Sequence, residues 1–318
     1  MKIIFCGTPQ FAVPTLEELI NEDFEVALVL TNPDEPAGRG HHIQASPIKQ
    51  FANKWRLPIF QPSRLKKTGV QEKLTKVQPE AIVVVAYGHI IPKWMIELPR
   101  IGCINLHASL LPKYRGAAPI QWALINGEKV TGNTTMQISN GIDTGPVLLN
   151  QKMEITPGET TETLSQKLSG PGGKLMVETL RKLDQGRIQA QPQDHSQASL
   201  APMLKRSDGL IDWTLPAEKI FWRIRGLHRW PGTFTAFRGK NLHVWWGIPM
   251  KKDMEFCKPG SMATSEGTLI KNQTGLFVVC GDSNWIELKE LQLEGRKRIT
   301  GLNFANGARL RPGEKLGT

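Results

Sequence analysis

Only four of the 318 residues are cysteine, Cys6, Cys103, Cys257 and Cys280, and no two of them form a C-x-x-C pair. Such wide spacing offers neither a disulfide framework nor a zinc site, so the thiols are expected to be reduced core residues. No apolar run reaches the roughly 20 residues needed to span a bilayer. The opening MKIIFCGTPQFAVP breaks on glycine and proline before it can build the apolar stretch of a signal peptide, which points to a cytoplasmic protein with no membrane attachment. No G-x-G-x-x-G follows the first apolar run, and CGTPQFAVP reads as an ordinary strand-to-helix turn rather than a dinucleotide cradle. Internal repeats and low-complexity tracts are absent as well.

What is present divides into two parts. A chain of 318 residues exceeds what one hydrophobic core usually organises, so two domains are expected. Up to about residue 185, apolar runs bounded by glycine and proline alternate with amphipathic stretches: IIFCG, PTLEELIN, EVALVLT, SPIKQFANKW, AIVVVAY, CINLH, PIQWALIN, TTMQIS. That alternation predicts parallel strands joined by helices in a doubly wound, mostly parallel α/β sheet of Rossmann-like architecture. Residues 186–206, rich in Gln, Ser, Pro and Ala without periodicity, read as a linker or surface crossover. Beyond it, GTFTAFRG, LHVWWGI, GTLIKN, GLFVVCG and NWIELKELQL are short strand-like pieces at hairpin spacing, and PAEKIFWRIRGL reads as a helix. Residues 207–318 are therefore expected to form a small OB-like β-barrel.

The net charge is +11, and residues 207–318 hold +6 of it, with 17 Lys and Arg against 11 Asp and Glu. A basic small barrel suits a polyanion, with RNA the obvious cytosolic candidate, although a merely solvated basic face is about as common. Candidates for phosphate contacts are Lys251, the cluster Arg296, Lys297 and Arg298, and Arg309 with Arg311, each of which alone reads as a solvated turn and which only together support RNA. Trp245 and Trp246 are expected in the core rather than as a base-stacking platform.

The chemistry concentrates in INLHASLLPKYRG, residues 104–116, where Asn105 and His107 interrupt an apolar run two positions apart. In a strand, i and i+2 share a face roughly 6.5–7 Å apart, so one side presents a carboxamide beside an imidazole. At the carboxyl end of a parallel strand, that pair would lie where doubly wound sheets bind ligands. A carboxamide can donate to a developing oxyanion, an interaction worth about 3 kcal/mol in acyl-transfer sites. An imidazole can donate to the same oxygen when protonated, or take the proton from an attacking amine when neutral, and proton transfer of this sort is worth roughly 10²–10⁴ in rate. Asp143, in the turn SNGIDTG, has on its own the profile of a turn residue that satisfies its own backbone. Adjacent His41 and His42, with no spaced third ligand, read as loop residues and not as a metal site.

The run CINLHASLLPKYRGAAPIQWALINGEKVTGNTTMQISNGIDTGPVLL resembles the folate-dependent formyltransferases. The likeness extends through MKIIFCGTPQFAVPTLEEL, PDEPAGRGHHIQASPIKQFA, VVVAYGHIIP, PQDHSQASLAPML, the D-G-x-I-D-W run at Asp208 to Trp213, and NGARLRPGE, and so covers nearly the full length. It implies transfer of the formyl group of 10-formyltetrahydrofolate, with no metal, to the amino group of initiator methionyl-tRNA by a monomeric enzyme. The resemblance assigns Asn105, His107 and Asp143 to catalysis, and Ser109, Leu110, Leu111 and Pro112 to the folate, with a further wall from Tyr87, Gly88 and Ile90. It also places the loop carrying Arg39 near the tRNA acceptor end, and Lys113 and Arg115 beside the site, where they could meet phosphate. The alternative is another folate-dependent formyltransferase, or a formylfolate hydrolase, with a different acceptor. A non-catalytic RNA-binding protein is the rival from another class, and the intact Asn105, His107 and Asp143 argue against it.

Overall fold

The computed structural model describes residues 1–37, 42–251, 265–311 and 313–317. They form two compact units: residues 1–119, 130–155 and 163–202 in the first, and residues 120–129, 156–162 and 203–318 in the second. No helix among the described residues is long and apolar enough to cross a membrane.

The first unit is built on a seven-stranded sheet: β1 (Lys2–Gly7), β2 (Glu25–Leu30), β5 (Ile59–Phe60), β6 (Ala81–Val85), β7 (Gly102–His107), β8 (Val130–Gln137) and β9 (Val147–Glu154), in the order β5-β2-β1-β6-β7-β8-β9. Strands β5 to β7 along that order are mutually parallel, as the alternating text predicts. Strands β8 and β9 are not: β8 runs antiparallel to β7, and β9 antiparallel to β8, so TTMQIS closes the sheet by returning beside its predecessor. An apolar run carries no sign of its direction, which is why the reversal is invisible in sequence. Within PDEPAGRGHHIQ, β3 (Glu35–Ala37) and β4 (His42–Gln44) pair as a small hairpin.

Period-2 alternation splits the apolar residues between two cores. Ile3, Phe5, Val29, Val83, Val85, Ile104 and Leu106 face one side, where α1 (Val13–Asn21), α2 (Pro47–Lys54) and α6 (Thr161–Asp184) supply Leu16, Leu19, Ile48, Ala52, Met176 and Leu180. Ile4, Cys6, Leu28, Leu30, Ile82, Val84 and Cys103 face the other, against Val70 and Leu74 of α3 (Val70–Val77) and Met95 of α4 (Lys93–Ile96). Helix α2 starts where the sequence says it should: Ser46 accepts a bond from the Lys49 N–H at 3.1 Å and Pro47 takes the first helical position. Helix α6 reaches β7 closely because Gly172 has no Cβ; one added there would sit 2.9 Å from Leu106 Cδ2. Cys6 and Cys103 are buried and free, and burial pushes both thiols upward in pKa, as expected of inert core residues. Cys257 lies outside the described residues.

The stretch expected as a linker is largely part of the first unit. Gln191 and Val147 exchange backbone bonds at 2.8 Å, Arg115 N–H donates to Ser199 O at 2.8 Å, and Ala201 N–H donates to Arg115 O at 2.7 Å. Its glutamines and serines lack periodicity because they satisfy loops, not because they are idle.

The second unit contains α5 (Pro119–Ile125), all but its first residue, and α7 (Ala217–Gly226), β10 (Thr233–Phe237), β11 (Lys240–Met250), β12 (Leu269–Lys271), β13 (Leu276–Val279), β14 (Trp285–Leu293), β15 (Ile299–Thr300) and α8 (Gly301–Ala308). Its sheet is antiparallel in the order β10-β11-β14-β13-β12, with β15 against β14. One core collects Ile220 and Ile224 of α7, Leu242 and Val244 of β11, Val278 of β13, Ile286 and Leu288 of β14 and Phe304 of α8. Every element predicted from the hairpin-spaced runs is present.

The inward and outward faces of β7 make separable predictions. Leu106, between Asn105 and His107, points into the first core, so Leu106→Ala should lower unfolding free energy by about 2–5 kcal/mol. Urea denaturation measures this, and a loss below about 1 kcal/mol would contradict the assigned face.

Candidate active site

Strand β7 ends with Asn105 and His107 on one face, and both meet the carboxylate of Asp143. Asn105 Nδ2 lies 3.5 Å from Asp143 Oδ1, and His107 Nδ1 lies 3.5 Å from Asp143 Oδ2. The imidazole is 6% exposed and the carboxylate 17%, so the three groups sit at the edge of water rather than in it. Asp143 Oδ2 also accepts the Gly116 N–H at 2.9 Å. On the far side of the ring, His107 Nε2 is 2.8 Å from the Tyr114 carbonyl. A carbonyl only accepts, so Nε2 carries hydrogen and Nδ1 is the nitrogen turned to the carboxylate.

Local backbone geometry explains how residues 38 apart in sequence converge. The ladder pairs His107 with Thr134 and Asn105 with Met136, so β8 travels back past the site and its exit turn carries Asp143 over the end of β7. Asp143 itself adopts φ +51°, a left-handed conformation that costs an ordinary L-residue about 1–2 kcal/mol and that Asp tolerates better than most. Gly116, with φ +124°, admits no side chain: a Cβ there would lie 2.6 Å from the Ala201 carbonyl oxygen.

Two residues that lie in the runs of family likeness, but that the sequence assigned no role, complete the frame. Thr134 Oγ1 donates to the Ser109 carbonyl at 2.6 Å and accepts the Leu111 N–H at 3.2 Å, tying the segment after His107 to β8. Gln193, 8% exposed, donates from Nε2 to the carbonyls of Asp143 at 2.9 Å and Gly145 at 2.6 Å. Among the described residues, no group of three or more His, Cys, Asp or Glu side chains is placed to hold a metal ion.

Comparison with known proteins decides what this frame belongs to. The family model described as formyl transferase matches residues 1–180, and that described as formyl transferase, C-terminal domain, matches residues 203–309. The chain belongs to the formyl transferase family. A methionyl-tRNA formyltransferase of Acidobacterium capsulatum is 49% identical over 318 residues, covering 100% of both chains. Among solved structures, WlaRD, a sugar 3N-formyl transferase in the presence of dTDP and 5-N-formyl-THF, superposes with a TM-score of 0.66 at 17% identity, covering 93% of this chain and 99% of its own. Methionyl-tRNA formyltransferase from Clostridium thermocellum superposes with a TM-score of 0.57 at 17% identity, covering 95% and 100%. At such identities the structures speak to the fold alone.

Not every residue expected of a formyl transferase site stands where the sequence suggested. Leu110, Leu111 and Pro112 are half-buried just beyond the end of β7, and Ser109 is buried, its hydroxyl donating to the Lys113 carbonyl at 2.6 Å. Ile90 is 90% exposed and Gly88 takes φ +84°. The Tyr87 side chain packs in the second core, its hydroxyl lacks a hydrogen-bond partner and burial raises its pKa, so the ring is not part of an open wall. Arg115 is a correction too. It is 7% exposed, its Nε and one Nη donate to Gln193 Oε1 at 3.0 and 2.6 Å, and that Nη also lies 3.1 Å from His195 Nδ1. An acceptor supplied from 78 residues away turns a loop charge into part of the wall. Lys113 remains exposed, as do Arg296, Lys297 and Arg298. Arg298 pairs with Glu290 and lies 5.0 Å from the Trp245 ring. Trp246 packs against the second unit's core, whereas Trp245 stacks with His243 at 5.9 Å, so the tryptophan pair is only half core. Arg39 and His41 lie outside the described residues.

The burial of Arg115 predicts that Arg115→Ala lowers thermal stability yet leaves the salt dependence of RNA binding unchanged. A salt slope reduced by about one unit would return Arg115 to the phosphate-contacting surface.

Proposed function

We propose that the protein transfers the formyl group of 10-formyltetrahydrofolate to the free α-amino group of initiator methionyl-tRNA, giving N-formylmethionyl-tRNA for translation initiation and releasing tetrahydrofolate. The observation that carries the reading is the carboxylate of Asp143 meeting both the carboxamide of Asn105 and the imidazole of His107. Full-length identity to a methionyl-tRNA formyltransferase supports the acceptor.

The apolar, half-buried Leu110, Leu111 and Pro112 and the exposed Ile90 offer flat contact surface that suits a pterin and its aromatic linker, with Gly88 allowing close backbone approach. The folate brings the formyl carbon; the chain's own groups manage charge and protons. As the amine attacks that carbon, its carbonyl oxygen gains negative charge, and the Asn105 Nδ2 donates to it. His107, with Nε2–H held by the Tyr114 carbonyl, receives the amine proton at Nδ1. The imidazolium so formed lies between a carbonyl and the Asp143 carboxylate, which offset its charge. The oxyanion then re-forms its carbonyl, the bond from the formyl carbon to the folate nitrogen breaks, and that nitrogen takes the proton held at His107 Nδ1, which returns the imidazole to neutrality. The roles need no metal.

The second unit is the tRNA-binding part of this reading. Its +6 charge and the exposed Arg296, Lys297 and Arg298 favour the acceptor's phosphates, and Lys113 and Arg39 are proposed contacts near the acceptor end. The enzyme is read as cytoplasmic and monomeric.

Incubation with Met-tRNA and 10-formyltetrahydrofolate should yield N-formylmethionine on the tRNA. A protein that formylates another amine, or only hydrolyses the folate, would overturn the acceptor assignment. Asn105→Ala and His107→Ala should each reduce turnover at least about a hundredfold with folate affinity nearly intact, because both groups act on the transition state. Loss confined to folate affinity would contradict their roles. Replacing Arg296, Lys297 and Arg298 together by alanine should reduce the slope of log affinity for Met-tRNA against log salt by somewhat under one unit for each phosphate no longer neutralised. An unchanged slope would remove that cluster from the tRNA surface.

A further inference from the structure

The orientation of the Gln193 carboxamide is dictated by the atoms around it. Oε1 faces the Arg115 guanidinium, which can only donate, and Nε2 faces the carbonyls of Asp143 and Gly145, which can only accept. Reversing the amide would set like against like at all four contacts. The side chain is buried, and its backbone is anchored on both sides: Gln191 pairs with Val147 two residues before, and Ser199 and Ala201 pair with Arg115 shortly after. Gln193 is therefore a fixed point against which a turn can be held.

The turn it holds needs support. Asp143 adopts φ +51°, and any relaxation of that angle turns its own carbonyl relative to the preceding peptide, so a bond that fixes the carbonyl and its peptide opposes the relaxation. Release of this peptide would swing the carboxylate away from His107 Nδ1, Asn105 Nδ2 and the Gly116 N–H together, since all three meet the same two oxygens. We propose that Gln193 is a positioning residue for formyl transfer, fixing the Asp143 turn through two carbonyls so that its carboxylate stays aimed at the imidazole and carboxamide. The inference rests on the reading that Asp143 acts in the reaction. Gln193 acts through Asp143, and Arg115, buried beside it, serves to lock the carboxamide.

Gln193→Glu separates the two halves of the arrangement. The carboxylate keeps an acceptor for Arg115, while an oxygen replaces the donor that faced the two carbonyls. In single-turnover formylation of Met-tRNA by the full-length protein, Gln193→Glu should slow the reaction at least about tenfold, with the KM for folate changed by no more than about twofold and thermal stability retained. In an Asp143→Ala background the same substitution should cause no further slowing, because the group it aims is already gone. An equal slowing in both backgrounds would reduce Gln193 to a structural residue and overturn the proposal, as would unchanged turnover in the wild-type background. If Asp143→Ala alone leaves turnover intact, the catalytic reading beneath the proposal is what fails. Should Gln193→Glu not fold, Gln193→Met, which preserves length while removing every bond of the carboxamide, enters the same comparison with the same expected result.

Discussion

Everything at the site depends on one carboxylate held in one place. Asp143 presents two oxygens to an imidazole nitrogen, a carboxamide nitrogen and a backbone N–H, and no single element of the fold could bring those groups together. Strand β7 supplies the imidazole and carboxamide because strand residues two apart share a face. The antiparallel return of β8 supplies the turn. The loop after β7 supplies the Gly116 N–H, and its Tyr114 carbonyl settles which imidazole nitrogen faces the carboxylate. Partial burial matters as much as geometry: at the edge of water, charge–dipole contacts act more strongly than they would in bulk solvent.

The layers that position the site were legible in sequence where periodicity encoded them. The alternation in IIFCG, EVALVLT and AIVVVAY announced strands with two buried faces, and Asn105 and His107 stood out because they broke an apolar run at strand spacing. Asp143 was a different matter, since an aspartate between glycines is ordinary turn chemistry, and only the family resemblance singled it out. Gln193 lay inside PQDHSQASLAPML, a run that carries the family likeness, yet nothing in that run gave it a role. It lies 50 residues from Asp143 in a polar tract without period, and what gives it importance is a set of contacts that local pattern does not record. Arg115 misled for the same reason in reverse, because a charge in a loop reads as solvated until a distant acceptor buries it. Tyr87 stands beside exposed Ile90, but its own ring turns into the core.

The second unit shows the same limit in another form. Short alternating strands predicted its antiparallel sheet correctly, and the pairing of Leu242 and Val244 inward against His243 and Trp245 outward follows from the period of two. The same alternation divides the consecutive tryptophans, Trp245 outward beside His243 and Trp246 against the core, and the ladder to β14 shifts register there. Electrostatics supplies the remaining argument: exposed guanidinium and ammonium groups attract a polyanion without regard to sequence, so in the proposed function this surface serves affinity and the site on the first unit serves chemistry.

The central claim is that Asn105, His107 and Asp143 act as one unit organised by the shared carboxylate. Single-turnover formylation of Met-tRNA by the wild type, His107→Ala, Asp143→Ala and the double variant tests it most directly. The account predicts that the double variant is about as slow as the slower single variant, since the carboxylate serves the reaction through the imidazole it faces. Losses that multiply in the double variant would mean that the two groups act independently, and the shared-carboxylate account would be wrong.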